Sequence, residues 1–312
     1  MSPQAEKIAQ ILGAEPKWLI LSHVKPDGDT LGCGSALTCA GLKMGKDVEW
    51  GGVDALPRTY AFLPCADRYR AGGVQPEEGR CVVTVDVSTV GRGVPGMAPR
   101  ISIDHHRDNE GFASEINWIV PEAAASGELI YEVVQALGCP LDKDIAEALY
   151  VSLTTDSGGF SFSNTTARTL RVAAELVKAG AVPVEVNEKL HYNDSQSKIN
   201  LWGRCMSRAR KVGSRAALSW VSRDDFRETG ADDSDTEGLV NMLTHMAGTS
   251  LTVLVSEAED SLRCSVRARG DLSAQQFAAR HDGGGHRYAA GCKLYVPLDE
   301  GVAQLEEELK GV

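Results

Sequence analysis

The chain has 312 residues, 43% of them hydrophobic and 24% charged, enough for packed cores in about two domains. Its formal net charge of −11 argues against holding long duplex nucleic acid through phosphates, which calls for a basic surface. No run approaches the roughly 20 apolar residues of a membrane span, and the opening Met-Ser-Pro-Gln-Ala-Glu-Lys lacks the layout of a secretion signal, so a cytoplasmic location is expected.

Residues 18–23 read as a buried strand, 30–44 as a helix of small and apolar residues ending near Gly45, and 48–51 as a short strand. Residues 81–86 and 100–104 read as two further strands, followed by helical patterns at 126–137, 142–155 and 165–179. Apolar strands combined with helices predict an α/β fold with a parallel sheet covered on both faces. Residues 1–185 are expected to form this first domain. Residues 186–215 are polar, helix-compatible and poor in large apolar side chains, and read as a connecting region. A smaller α/β unit over 216–312 comes next, with strands at 216–221, 251–256, 262–268 and 291–296 and helices at 236–246 and 273–280. The eight cysteines are scattered and none forms C-x-x-C, so buried, reduced side chains are expected rather than a zinc cluster or disulfide framework.

The strand ends carry the chemistry. The first strand runs into His23-Val-Lys-Pro-Asp27-Gly-Asp29, the second long one ends at Asp86, and the third at Asp104-His105-His106; Asp156 comes after the helical stretch, before Ser157-Gly-Gly. In open parallel sheets such ends converge on one edge. Each piece has a plainer explanation: Asp27 or Asp29 could cap the helix that begins near Thr30, and a lone Asp86 could be loop polarity. Together they form a thiolate-free nitrogen and oxygen donor set that suits manganese, magnesium or iron better than structural zinc. Its size matches two ions sharing a carboxylate. His191, His245 and His281 have no such company and read as surface or satisfied core residues.

In the second half, Asp282-Gly283-Gly284-Gly285-His286 would let backbone amides approach an anion. Arg263, Ser265, Arg267 and Arg269 alternate along a strand and share a face, which makes them either a phosphate-facing array or a solvated surface.

These motifs resemble the DHH phosphoesterase superfamily along nearly the whole chain: His23 to Asp29, Asp86, Asp104-His105-His106, Thr155-Asp156-Ser157-Gly158-Gly159, and the glycine-histidine run at 283–286. The resemblance implies a Rossmann-like catalytic domain linked to a smaller substrate-binding domain. It implies that His23, Asp27 and Asp86 hold one divalent ion, most readily Mn2+ though Mg2+ would serve, and that Asp29, Asp86, His105 and Asp156 hold a second. Asp86 would bridge them, His106 would lie near the scissile phosphate, and Asp104 would orient the histidines. Arg267, Ser265, Gly283, Gly284, Gly285 and His286 would bind substrate. Length, the lack of added domains and Asp235-Thr-Glu-Gly-Leu-Val-Asn241 are similar to the branch that cleaves short oligoribonucleotides and 3′-phosphoadenosine 5′-phosphate (PAP) with metal-activated water. Alternatives are a phosphodiesterase for pApA or cyclic dinucleotides, an exopolyphosphatase or pyrophosphatase, and a non-catalytic nucleotide-binding module. The expected partners are short RNA or nucleotides, with no membrane and no long duplex, and a homodimer is compatible with the sequence. Two departures stand out: Cys33 replaces a frequent serine, and Asp282 replaces the first glycine of a four-glycine run.

Overall fold

In the strand Lys17–Leu21 (β1) every residue after the lysine is apolar and buried, as a strand covered on both faces requires. The computed structural model describes residues 2–72, 74, 79–192, 194–285 and 287–312. The chain divides into two units, Met1–Asn193 and Asp194–Val312, each built on its own six-stranded sheet.

The first unit comprises Pro3–Ala14 (α1), β1, Gly28–Lys43 (α2), Asp47–Gly51 (β2), Tyr69–Arg70 (β3), Cys81–Val85 (β4), Ile101–Asp104 (β5), Ile116–Ile119 (β6), Gly127–Ala136 (α3), Lys143–Asp156 (α4), Ala167–Lys178 (α5) and Pro183–His191 (α6). All its strand pairs are parallel, in the order β3-β2-β1-β4-β5-β6. That order reverses direction between β1 and β4, and a crevice opens beyond the strand ends at such a switch point.

Alternation along each strand divides its side chains between two faces. Trp18, Ile20, Val83 and Ile101 join a core with Ile8, Leu37, Ile130 and Leu149 of the helices. Leu19, Leu21 and Val82 lie instead with Val94, Val53 and Met97 from connecting segments. The Trp18 indole donates to Leu12 O and Glu15 O, both at 3.0 Å, which fastens the end of α1 to β1. Helix α2 is buried from Gly28 to Gly41, and its small residues permit this. A Cβ on Gly32 would lie 2.4 Å from Ala148 O of α4, so the two helix backbones meet where glycine alone fits.

The second unit contains Gln196–Arg208 (α7), Arg210–Val212 (β7), Ala216–Val221 (β8), Arg223–Thr229 (α8), Leu239–Leu243 (α9), Leu251–Glu257 (β9), Leu262–Ala268 (β10), Ala274–Ala279 (α10), Gly284–Gly285 (β11), Ala289–Leu294 (β12) and Leu298–Leu309 (α11). Its sheet runs β11-β12-β10-β9-β8-β7; β8 and β9 are parallel and the remaining pairs antiparallel. The polar stretch 186–215 is shared between the units. Val186 enters the first core, while Leu201 and Cys205 are buried with Val221, Leu239 and Leu254 in the second unit. In α7, Leu201 and Cys205 lie one turn apart on a buried face, while Ile199 is exposed. Residues 236–246, expected as one helix, form a 3-10 turn at Asp233–Thr236 and then the short α9. Gly238, with φ of +83°, interrupts them. All eight cysteines are free, and all but the half-buried Cys65 are buried. Among the described residues no helix is long and apolar enough to cross a membrane.

Candidate active site

At the switch point, the chain leaving β1 carries His23, which is 1% exposed. Its Nδ1 lies 2.8 Å from Val24 O. Its Nε2 lies 3.5 Å from both Asp27 Oδ1 and Asp86 Oδ2, yet has no hydrogen-bond partner. Asp27 also caps α2, its Oδ1 accepting from Asp29 N at 3.1 Å and Thr30 N at 3.3 Å. The capping and site readings of this residue therefore hold together.

Asp29 is fully buried and held from three directions. Oδ2 accepts from Ser126 N at 2.7 Å, and Oδ1 accepts from Gly127 N at 3.2 Å at the start of α3, where backbone amides favour an anion. Ser152 Oγ of α4 donates to Oδ1 at 2.5 Å, and Cys33 Sγ, one turn along α2, approaches it at 3.4 Å. Cys33 thus supplies a weak donor where a serine hydroxyl would give a stronger one. Asp86 directly follows β4 and has φ of +60°, a left-handed backbone that costs a non-glycine residue energy. Its Oδ1 accepts from Ser126 Oγ at 3.0 Å and lies 3.5 Å from His105 Nε2.

At the end of β5, Asp104 Oδ1 accepts from His105 N and His106 Nδ1, both at 2.8 Å, and Oδ2 accepts from Asn109 Nδ2 at 2.7 Å. His105 turns the other way: its Nδ1 is 3.1 Å from Ala123 O, and its Nε2 is 3.2 Å from Asp156 Oδ2 and 3.6 Å from Asp29 Oδ2. Three sets of ligand atoms converge, His23 with Asp27 and Asp86, Asp29 with His105 and Asp156, and Asp86 with His105 and His106. All six residues expected as metal ligands, together with Asp104 and His106, are therefore gathered at one edge of the first unit.

The electrostatics match this crowding. Burial, then the charge of Asp156, pushes the Asp29 carboxyl up to about 6. Burial pushes Asp86 well above its ordinary value, with the charges of Asp29, Asp27 and Asp156 adding to it. Burial alone would lower the His105 imidazole, but Asp156, Asp29 and Asp86 push it up to about 11. Burial works against ionisation of Asp104 as well, yet His106, Asn109 and the His105 amide hold its carboxyl below the usual range. Asp29 and Asp86 are thus short of positive charge, whereas Asp104 has its own partner.

In the second unit the arginine strand divides its labour. Arg263 pairs with Asp233 at 2.5 Å. Arg269, expected on the same strand, lies just past the end of β10 and donates to Thr249 O and Thr244 O, both at 2.7 Å. Neither is left as part of a phosphate-facing array. Arg267 Nε donates to Asn241 Oδ1 at 3.0 Å, and burial lowers its guanidinium pKa. Ser265 pairs across the sheet with Gly291, which pairs in turn with Gly284, so the glycine run lies in the same sheet, with β12 between it and Ser265. A Cβ on Gly283 would lie 2.3 Å from Gly291 O, and Asp282 adopts φ of +54°, a conformation Asp tolerates better than most residues. His286 lies outside the described residues. His281 pairs with Glu308 at 3.0 Å, the satisfied histidine expected of it.

Sequence reasoning missed Ser126, Ser152 and Asn109, which position Asp29, Asp86 and Asp104. Asn109 stands close after the histidine pair, a visible signal. Ser126 and Ser152 lie 97 and 123 residues from Asp29, and only the packing of α3 and α4 brings them there.

Residues 17–153 match the DHH family, N-terminal domain, and residues 214–311 match the DHHA1 domain. The chain is 31% identical to the bifunctional oligoribonuclease and PAP phosphatase NrnA of Thermus thermophilus, over 97% of its own length and 92% of that protein's. The chain belongs to the DHH family. Its DHH segment holds five of the six candidate ligands, with Asp156 just beyond, and its DHHA1 segment holds Ser265, Arg267 and the glycine run. It is also 27% identical to NrnA of Bacillus subtilis, over 88% of each chain. Among solved structures, an exopolyphosphatase-related protein from Bacteroides fragilis shares the fold with a TM-score of 0.91 at 23% identity, covering 99% of this chain and 96% of that one. A structure of the exonuclease RecJ bound to manganese has a TM-score of 0.55 at 15% identity, covering 99% and 94%.

Proposed function

We propose that this DHH protein is a metal-dependent phosphoesterase that hydrolyses short oligoribonucleotides and PAP. The likeness to NrnA over nearly the whole chain supports the substrate class. The observation that carries the chemistry is the buried His23 Nε2, which faces two carboxylates yet has no hydrogen-bond partner. A buried polar atom in that position calls for a ligand, and the raised Asp29 and Asp86 carboxyls call for a cation. The donor set therefore fits divalent metal.

In this reading His23, Asp27 and Asp86 would hold one ion, and Asp29, His105 and Asp156 would hold a second, with Asp86 able to serve both. When bound, the ions, manganese by the character of the donors, supply Lewis acidity to the phosphate and the attacking water. Asp104 accepts the Nδ1–H of His106, which fixes the ring, and with its second nitrogen also protonated His106 donates Nε2–H to a phosphate oxygen. The amides at the start of α3 and Ser152 keep Asp29 oriented whether or not substrate is present. Arg267, Ser265 and the glycine run, with His286, bind a second phosphate of the substrate. A cytoplasmic location and a homodimer belong to the same proposal.

A manganese-supplemented digestion of PAP, pApA, short RNAs and polyphosphate tests it. Release of AMP from PAP and mononucleotides from short RNA, abolished by a chelator, is expected. Cleavage of polyphosphate alone, or turnover indifferent to chelation, would contradict it.

A further inference from the structure

The segment leaving β4 carries a basic side chain that none of these roles uses. After Asp86 the chain makes a short turn in which Arg92 N donates to Thr89 O at 3.0 Å, and Arg92 O accepts from Val24 N at 2.8 Å. This ties Arg92 to the motif that begins at His23. Its guanidinium lies against that ring, with Nη2 3.3 Å from His23 Nδ1.

That contact is not a hydrogen bond once His23 serves as a ligand. Nε2, facing Asp27 and Asp86, must then be unprotonated, so Nδ1 carries the proton and donates it to Val24 O. A guanidinium has donors and no acceptor, so both groups at the 3.3 Å contact are donors. Among the described residues no carboxylate pairs with Arg92, although it is half-buried. Nor does Arg92 stand where a simple counter-charge would: it meets His23 on the Nδ1 side, while the carboxylates lie on the Nε2 side. A partly desolvated, backbone-anchored guanidinium without an acceptor, at the margin of a phosphate-cleaving site, is suited to an anionic oxygen.

We propose that Arg92 contacts the substrate directly, taking an outer oxygen of the phosphate under attack. This rests on the phosphoesterase reading above. It differs from the role of Arg267, which concerns a second phosphate.

The test compares wild type, R92Q and R92K on PAP and on a small ester with one phosphate, alongside a manganese-binding titration and competition by inorganic phosphate. R92Q should lose about ten- to a hundredfold in kcat/KM on both substrates, and inorganic phosphate should inhibit it more weakly. R92K should recover part of the rate, since it keeps the charge without the fork. Manganese binding should match wild type throughout. Unchanged rates in R92Q, a loss confined to PAP, or manganese binding that falls in step with rate would each overturn the assignment. If R92Q does not fold, R92K carries the comparison: reduced kcat/KM on both substrates at normal manganese affinity supports it, and wild-type kcat/KM overturns it. Failure of the phosphoesterase reading is distinct, because wild type would then cleave neither substrate.

Discussion

The two units handle buried charge in opposite ways. At the first unit's sheet edge, Asp29 and Asp86 are buried with carboxylate neighbours that push their pKa values up. In the second unit Asp225 is equally buried, but Arg208 donates to both its oxygens and Arg204 approaches at 3.3 Å. Although burial opposes it, this pairing holds Asp225 well below the usual carboxylate range. Satisfied charge marks a structural tie, and charge left short of a cation marks a functional site.

Asp86→Ala tests this contrast most severely. It removes the carboxylate proposed to serve both ions, and roughly a thousandfold loss of kcat is expected on every substrate. Manganese binding measured alongside should fall too; near-wild-type rate with normal metal content would remove the bridging role. Arg267→Ala should be selective. Losing one charged contact of about 1.5–3 kcal/mol predicts a roughly ten- to hundredfold lower kcat/KM on a phosphorylated dinucleotide, with little change on a single-phosphate ester. Equal loss on both would assign Arg267 to the fold or the chemistry.

Asn109→Ala should be milder, about tenfold in rate, since it frees one oxygen of Asp104 without touching substrate. Because Asn109 helps hold the Asp104 carboxyl below the usual range, its loss should move the acid limb of the pH–rate profile to higher pH, and a profile superimposable on wild type would deny Asn109 a positioning role. Asp225→Asn should leave activity nearly intact and destabilise the second unit by about 3 kcal/mol, as breaking one side of a buried ion pair does. The depressed pKa of Asp225 sets the direction of the pH effect. The stability Asp225 contributes is complete above the unfolded value near 3.8 and is lost as pH falls through the lower folded value. Denaturant unfolding below about pH 4 should therefore show a decline in wild type that is reduced in Asp225→Asn. Parallel pH curves would mean that Asp225 does not supply the acid sensitivity.

The same contrast explains how much was legible in the sequence. Strands β1, β4 and β5 announce themselves as apolar runs, and a parallel sheet delivers the residues at their carboxyl ends to one edge. His23, Asp86 and Asp104 could thus be placed together without coordinates. The donors that aim these groups were illegible: Ser126 and Ser152 reach Asp29 only through helix packing, and Arg92 reaches His23 only through a backbone tie to Val24. On the arginine strand, alternation correctly separated Arg263, Ser265 and Arg267 from the buried Cys264 and Val266. It could not reveal that Asp233 and the loop carbonyls of Thr244 and Thr249 occupy two of the arginines. Periodicity assigns a face; partners come from loops whose course it does not encode.

The most direct measurement is a manganese titration of metal-stripped protein that tracks bound ion and PAP hydrolysis together. If the His23–Asp156 cluster is a two-ion site, activity should be absent without metal and return as two ions bind per chain, with both signals lost in Asp86→Ala. Full PAP hydrolysis by the stripped protein, or activity that saturates with no ion bound at these residues, would contradict it.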